Sequence, residues 1–425
     1  MRVSVLRSNL ARRPTRLAGL VIAAAVLFVN LPAVTAGGFA VREQSTTLMG
    51  TAFAGSAAGV DLSSGFWNPA AFGIAEAGLS TQSSANVILP DTEFSNGQTT
   101  VSGFPSGLGG ASSTSIDKVG VVGSSTAAYR VNDQTVLGVS VTSPFGLATE
   151  AGDQNWAGRF HGRAAEMLTF NVAPSLAYEI APGINIAAGL QFEYMKLKLW
   201  SAAPLFTLPV QPSLSIKLDD SVGVGYTAGI LVKTGDHSNI GLGFRSSIRH
   251  DLSGDFNTPL GASHASASFD TPEMLTLSAV QALTPQLRAL GTVEWTNWSR
   301  ISRIPVNGIP GAALDAQWKD GWLISGGAEF DTSPDITLRG GVAWEKSPVQ
   351  NGSRLSALPD SDRVWLSAGG SLRYSDATTL DVSYAHVFFQ DSHLTSQTLV
   401  PSALVLNADV SNSADIISVG LRTRW

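Results

Sequence analysis

Residues 417–425 alternate without a break. Ile417, Val419, Leu421, Thr423 and Trp425 fall on one face, and Ser418, Gly420, Arg422 and Arg424 on the other. A period of two is that of a strand. An apolar face, a polar face and an aromatic at the last position suit a strand standing between lipid and a wet lumen. An edge strand of a soluble sheet alternates too, so the rest of the chain has to decide.

The other end argues for export. Arg2, Arg7, Arg12, Arg13 and Arg16 form a basic region before the apolar stretch Leu17 to Val29, which is short for a membrane helix. Val34-Thr35-Ala36 supplies small residues for cleavage, so 1–36 is expected to be a signal peptide, with an N-terminal anchor helix as the alternative. Loss of those five arginines moves the net charge from −6 to about −11. That excludes the basic footprint of a nucleic-acid-binding protein. The absence of cysteine excludes a disulfide framework and thiol catalysis. No later run of 18 or more apolar residues exists, so a membrane reading requires a closed barrel, which satisfies its backbone without helices.

Fourteen segments read as strands: 77–89, 118–130, 134–146, 164–180, 184–200, 219–233, 238–252, 267–283, 286–301, 317–331, 334–346, 361–374, 378–390 and 413–425. Val364, Leu366, Ala368, Leu372 and Tyr374, for instance, oppose Trp365, Ser367, Gly369, Ser371 and Arg373. The connections alternate short and long, which is the asymmetry of periplasmic turns and outer loops. Trp295, Trp298, Trp318, Trp322, Trp344, Trp365 and Tyr374 lie toward strand ends, where interfacial belts form. The expected fold is all-β: a 14-stranded antiparallel transmembrane barrel over 77–425, with both termini periplasmic.

Residues 37–76 are too rich in Gly, Ala and Ser for a strand pair, and end in Phe66-Trp67-Asn68-Pro69-Ala70-Ala71-Phe72. Such a segment is expected to pack inside the barrel as a hatch; a disordered arm would carry fewer aromatics. Gly38-Phe39, Glu43-Gln44-Ser45, Gly50-Thr51-Ala52-Phe53-Ala54-Gly55 and Asn68-Pro69-Ala70 resemble the mature N-terminus of the FadL-type outer-membrane transporters. The likeness continues at Ser143-Pro144-Phe145-Gly146-Leu147-Ala148-Thr149-Glu150, at Trp156-Ala157-Gly158-Arg159-Phe160 and at Asp360 to Gly369. The resemblance implies uptake of long-chain fatty acids or hydrocarbons, a hatch carrying Phe39, Glu43, Asn68, Pro69 and Ala70, and sideways exit beside an inward-kinked third strand. It also implies a bacterial outer-membrane location.

The residues supply a reason for such a kink. Pro144 cannot donate a ladder hydrogen bond and Gly146 tolerates unusual backbone angles, so Pro144, Phe145 and Gly146 are the candidate lateral gate. The alternative is that the strand ends there. In the fifth segment Ile184, Ile186, Leu190 and Phe192 define a lipid face, after which Met195, Leu197 and Leu199 are apolar and Lys196 and Lys198 charged. Either these apolars line a vestibule while the lysines meet lipopolysaccharide, or a bulge resets the register. With Leu147, Trp156, Phe160, Leu205 and Phe206 they are the candidate substrate contacts. Lys319 and Arg159 are the candidates for a carboxylate partner. His161, His237, His250, His264, His386 and His393 are scattered, so no catalytic set, metal or cofactor is expected. The expected partners are a hydrophobic small molecule, outer-membrane lipid and lipopolysaccharide, and the barrel-assembly machinery, for a monomeric protein. A structural or adhesive barrel and a lipase-like enzyme are the rival functions.

Overall fold

The computed structural model describes residues 38–425 apart from 102–103, 106, 205–210, 221, 237 and 400–402. The proposed signal peptide therefore lies outside the described residues. Fourteen antiparallel strands close on themselves. They are β1 (Gly78–Val101), β2 (Gly120–Arg130), β3 (Thr135–Thr142), β4 (Ala164–Ala181), β5 (Ile184–Ala202), β6 (Gly223–Gly235), β7 (Ser238–Arg245), β8 (Met274–Ala282), β9 (Leu287–Thr296), β10 (Gly321–Ser333), β11 (Ile336–Lys346), β12 (Arg363–Ser375), β13 (Thr378–Phe389) and β14 (Leu404–Arg424). Each pairs with the next, and β14 returns to β1 from Ser80↔Arg424 to Val101↔Leu404. Closure pairs the backbone of neighbouring strands around the wall, apart from the interruption at β3 described below.

Strand parity sets the two surfaces. Val87, Leu137, Leu176, Leu190, Leu242, Ile324, Leu366 and Ile417 stand exposed on the outer wall, a belt that lipid must cover. Their neighbours in sequence, such as Asn86, Gln191, Glu193 and Ser418, are buried in the lumen. Trp425 is 57% exposed on the lipid face, as its parity requires.

Several strand bounds differ from expectation. β1 and β14 run further outward than 77–89 and 413–425, because each is the other's partner beyond the belt. The seventh strand stops at Arg245 and the eighth begins at Met274; the residues between form a hairpin, Arg249–Thr258 with Gly261–Asp270, in the outer loops. The sixth begins at Gly223, since Ser213–Asp219 forms a separate strand on β5. The aromatic belt is also narrower. Trp322, Trp344 and Tyr374 face outward, but Trp298, Trp318 and Trp365 are buried inside. Trp365 has inward parity and donates its Nε1–H to Glu345, and the other two lie on loops folded over the lumen.

Residues 38–75 form three short helical pieces, each started by a side-chain cap. Ser45 accepts from the Leu48 N–H, Asp61 from Ser63 and Asn68 from Ala70. Hydrogen bonds from this segment reach Ser84 and Asn86 on β1, Ser124 on β2, Ile230 on β6, Ser278 on β8, Thr292 on β9, Ser383 on β13 and Ser418 on β14. Partners on all sides place the segment across the lumen. Glycines on the wall make room for it. A Cβ on Gly241 would lie 1.9 Å from the Ala57 carbonyl oxygen, and one on Gly243 would lie 1.9 Å from that of Trp67. Backbone cannot yield as a side-chain tip can, so Gly241→Ala is expected to cost about 1–3 kcal/mol by overpacking. Gly326→Ala, whose Cβ would meet open space, is expected to stay within about 0.5 kcal/mol. Urea unfolding of both variants in detergent checks the pair.

Candidate functional site

The wall is interrupted at the third strand. β3 pairs with β2 only from Val136↔Arg130 to Val141↔Ser125, although β2 continues back to Gly120 on β1. β3 leaves β4 after Thr142↔Asn171, and pairing resumes at Gly146↔Leu168 as the short strand Gly146–Glu150. The strand expected over 134–146 is thus two strands joined by Ser143, Pro144 and Phe145. The freed backbone is not orphaned. Val41 donates its N–H to the Pro144 carbonyl (2.8 Å), Gly146 donates to the Phe39 carbonyl (2.8 Å), and Ala40 bridges Phe145. Gln44 donates its side-chain N–H to the Ser143 carbonyl (2.9 Å). The N-terminal segment therefore takes the pairing place that β2 loses. Residues 120–124 of β2 carry no ladder partner on that side among the described residues.

Above this interruption the lumen is apolar. Phe39 is the centre of an aromatic group, with ring centroids 4.8 Å from Trp298, 5.4 Å from Trp318 and 5.7 Å from Phe145. Leu147, Met195, Ile216, Leu252 and Val306 extend the cluster, with Leu197 and Leu199 packed at its side. β5 explains how one strand feeds both lumen and wall. Its register with β4 runs unshifted from Val172↔Phe192 to Ala164↔Trp200. No bulge intervenes, so the chemistry changes and the phase does not. Inward residues turn from Gln191 and Glu193 to Met195, Leu197 and Leu199. Outward ones turn from Leu190 and Phe192 to Lys196 and Lys198. Lys198 pairs with Glu166 at 3.0 Å.

A cavity of about 520 Å³ opens among the outer loops, lined by Phe160, Leu199, Ile216, Phe256, Leu314 and Leu404 among others. His161 also lines it, and burial pushes its imidazole down to about 4, so it is neutral at pH 7. Arg354 lines it too but commits its donors to the Asp360 carbonyl and to Asn351. Lys319 lines it, exposed, and makes no ion pair among the described residues. Arg159 is not comparable. Its guanidinium is held by Gln211 and by the carbonyls of Leu108, Gly109 and Trp156.

Trp156 stands apart from the other expected contacts: it is fully buried beside Phe94, 5.1 Å between ring centroids, in a separate apolar cluster. Leu205 and Phe206 lie outside the described residues. Glu43 is buried, and its backbone carbonyl accepts from Asn86 (2.7 Å). Asn68 bridges two carbonyls, donating to Ala57 (2.8 Å) and Ile230 (2.9 Å). Pro69 and Ala70 are buried in the turn that Asn68 caps.

Sequence reasoning missed the ionic layers. Near the outer end Arg42 contacts Glu294 (2.6 Å) and Glu345 (2.8 Å), and Asp360 accepts from the Gly38 N–H (2.8 Å) and from Arg363. Near the short turns Arg288 binds Asp331, Arg339 binds Glu329, and Arg422 binds Asp381. For the members carried by strands, inward parity is the one signal that points to them.

The model of an outer membrane protein transport protein family (OMPP1/FadL/TodX) matches residues 29–425. A long-chain fatty acid transport protein of Escherichia coli is 29% identical over 300 residues, 60% of this chain and 67% of that one. The crystal structure of a FadL homologue of Pseudomonas aeruginosa superposes with a TM-score of 0.82 at 20% identity, covering 91% of this chain and 99% of that chain. The toluene transporter TodX of P. putida gives a TM-score of 0.61 at 12% identity, over 86% of this chain and 94% of that one. At such identities the two structures speak for the fold alone.

The aromatic group carries a direct test. Phe39→Ala leaves the backbone bonds to Pro144 and Gly146 in place and empties the centre of the ring cluster. Stability should fall by about 3 kcal/mol in urea unfolding, and Phe39→Leu should recover part of that loss.

Proposed function

Because the chain belongs to the outer membrane protein transport family of FadL and TodX, we propose that it carries small hydrophobic molecules across the outer membrane passively, with exit sideways at the third strand. The observation that carries this reading is the loss of β2–β3 pairing at Ser143–Phe145, beside an apolar cluster that continues to the outer cavity. A hydrophobic solute gains roughly 0.8 kcal/mol for each methylene it removes from water. The loops and the cluster around Phe39 offer that gain, and the belt lipid offers it again. Below them lie the ionic layers at Glu329, Asp331 and Asp381, which offer an apolar solute nothing. The favourable route is then through the wall. Residues 37–76 serve as a hatch that closes the straight path, with Asn68 holding its turn to the wall.

No energy source is required, since the solute moves down its own gradient. In this reading outward Lys196, just above the lipid face of β5, meets lipopolysaccharide phosphates, while Lys198 is engaged by Glu166. The substrate contacts of this reading are Leu147, Phe160, Met195, Leu197 and Leu199; buried Trp156 supports the loops instead.

Replacing Pro144 by Val and Gly146 by Ala gives the third strand two residues suited to regular pairing. The double variant is expected to fold, to bind labelled toluene and oleate from outside, and to lose most uptake by whole cells. Normal uptake would place the exit elsewhere. A strain lacking the protein that takes up both compounds as fast as the wild type would remove the transport reading itself.

A further inference from the structure

A second cavity, of about 280 Å³, lies at the end of the lumen that carries the short turns. Thr47 and Val60 of the crossing segment form one side, and four wall arginines, Arg288, Arg339, Arg373 and Arg422, form the others. A water molecule's share of liquid volume is about 30 Å³. The space therefore holds several waters, or a small ion with waters of its own.

Three of these arginines are answered by acids. Arg288 binds Asp331 (2.7 Å) and Glu329 (3.2 Å), Arg339 binds Glu329 through Nε (3.1 Å), and Arg422 binds Asp381 (2.8 Å). Asp61, held by Gln82 (2.8 Å), adds its field at Arg422 but does not line the cavity. Arg373 is the fourth. It alternates with Leu372 and Tyr374, which stand exposed on the outer wall, so it has lumen parity. It is open to water and makes no ion pair or side-chain hydrogen bond among the described residues. Elsewhere in the lumen a buried arginine is answered on the spot: Arg363 by Asp360 and Glu345, Arg245 by the ring and carbonyl of Phe66.

Two further donors belong to residues of the same cavity. Arg339 gives Nη2 to Ser371 (2.7 Å), but its Nη1 has no hydrogen-bond partner among the described residues, with Asp381 standing 3.8 Å away. The Thr47 hydroxyl, on a residue 1% exposed, has none either. A buried donor without an acceptor bears its full desolvation cost. One of these donors lies on the wall and the other on the crossing segment. Water answers hydrogen bonds but returns no charge. A tetrahedral oxyanion supplies several acceptor oxygens together with the negative charge that Arg373 lacks.

We propose that this cavity is a binding site for a small oxyanion of the phosphate class, held by Arg373, Arg339 and Thr47 between the wall and the segment that crosses the lumen. The site is independent of which solute passes the wall. An anion held there ties the crossing segment to β11 and β12. It fixes that segment in its seat, and by mass action it stabilises the folded protein.

Inorganic phosphate is the probe. It is titrated calorimetrically into the purified full-length protein in detergent, near pH 7, at an ionic strength held constant with sodium chloride. Each variant is first checked for heat-resistant folding on a gel. The wild type should bind one phosphate per chain, with saturation below about 10 mM. Arg373→Gln should weaken binding about tenfold or more, and Arg373→Lys by less, because an ammonium keeps the charge and loses the fork. Thr47→Val should weaken it about threefold, with no loss of stability in the absence of phosphate, since the hydroxyl has no partner in the protein. Lys346→Gln, which changes an exposed lysine at the opposite end of β11, should leave binding as it is. A wild type without saturable binding overturns the site. So does an unchanged affinity in Arg373→Gln or in Thr47→Val. A loss in Lys346→Gln as large as that in Arg373→Gln means an adventitious ion only, and overturns it as well. If Arg373→Gln does not fold, Arg373→Lys and Thr47→Val decide: weakened binding in both supports the site, and unchanged binding in either overturns it.

Discussion

Every backbone N–H and C=O at membrane depth must find a partner inside the protein, because lipid offers none. Elsewhere in the wall, neighbouring strands meet that demand by running ladder to ladder. The junction of β2 with β3 does not, and the chain meets the demand there by another route. Residues 39–41 come up from the lumen and bond the backbone of Pro144 and Gly146. The N-terminal segment and the kinked strand are therefore one unit. Each satisfies backbone groups the other would leave bare, which ties the position of residues 39–41 to the interruption of the third strand.

The same economy governs the lumen's polarity. Residues that bury a charge have to supply its partner, so charged side chains occur in closed layers: Arg42 with Glu294 and Glu345 near the outer end, and Arg288, Arg339 and Arg422 with Glu329, Asp331 and Asp381 near the turns. The space above the third strand is filled with Phe39, Phe145, Trp298 and Trp318 instead. An apolar layer over a charged one, with a break in the wall at their boundary, is a gradient in solvent quality. On the proposed route it would act on a passing molecule without any moving part.

How much of this was legible in the sequence follows from what each feature depends on. The parity of single strands is a local property, and it assigned the lipid and lumen faces correctly along β12 and β14. It even placed Trp365 opposite Val364 and Leu366, on the polar face, though grouping the tryptophans by nearness to strand ends put it in the belt. Strand ends in the outer loops were not legible. Whether 249–258 continues β7 or folds into a hairpin is decided by its partner 261–270 and by Ser213–Asp219, which are tertiary pairings. The break at Pro144 could be anticipated from proline's missing donor. That residues 39–41 complete it could not, because nothing in Phe39-Ala40-Val41 names a partner so far along the chain. Trp156 shows the converse limit. It has the composition of a greasy loop contact, and long-range packing against Phe94 removes it from the surface.

Arg245 was invisible for a more specific reason. On the sequence it is a polar residue at the end of an alternating strand, equivalent to Arg339 or Arg363. All three have lumen parity, and all three are buried. What distinguishes them is the neighbour each receives. Arg339 and Arg363 lie beside acids contributed by adjacent strands, Glu329 and Glu345. Arg245 receives the ring and carbonyl of Phe66, from the segment that crosses the lumen. A register shift of one residue in β8 or β9 would change which side chains share its layer, and no local pattern encodes that register. The surroundings of a buried arginine in this barrel are therefore decided less by its facing the lumen than by the neighbours that the register and the crossing segment bring to its layer.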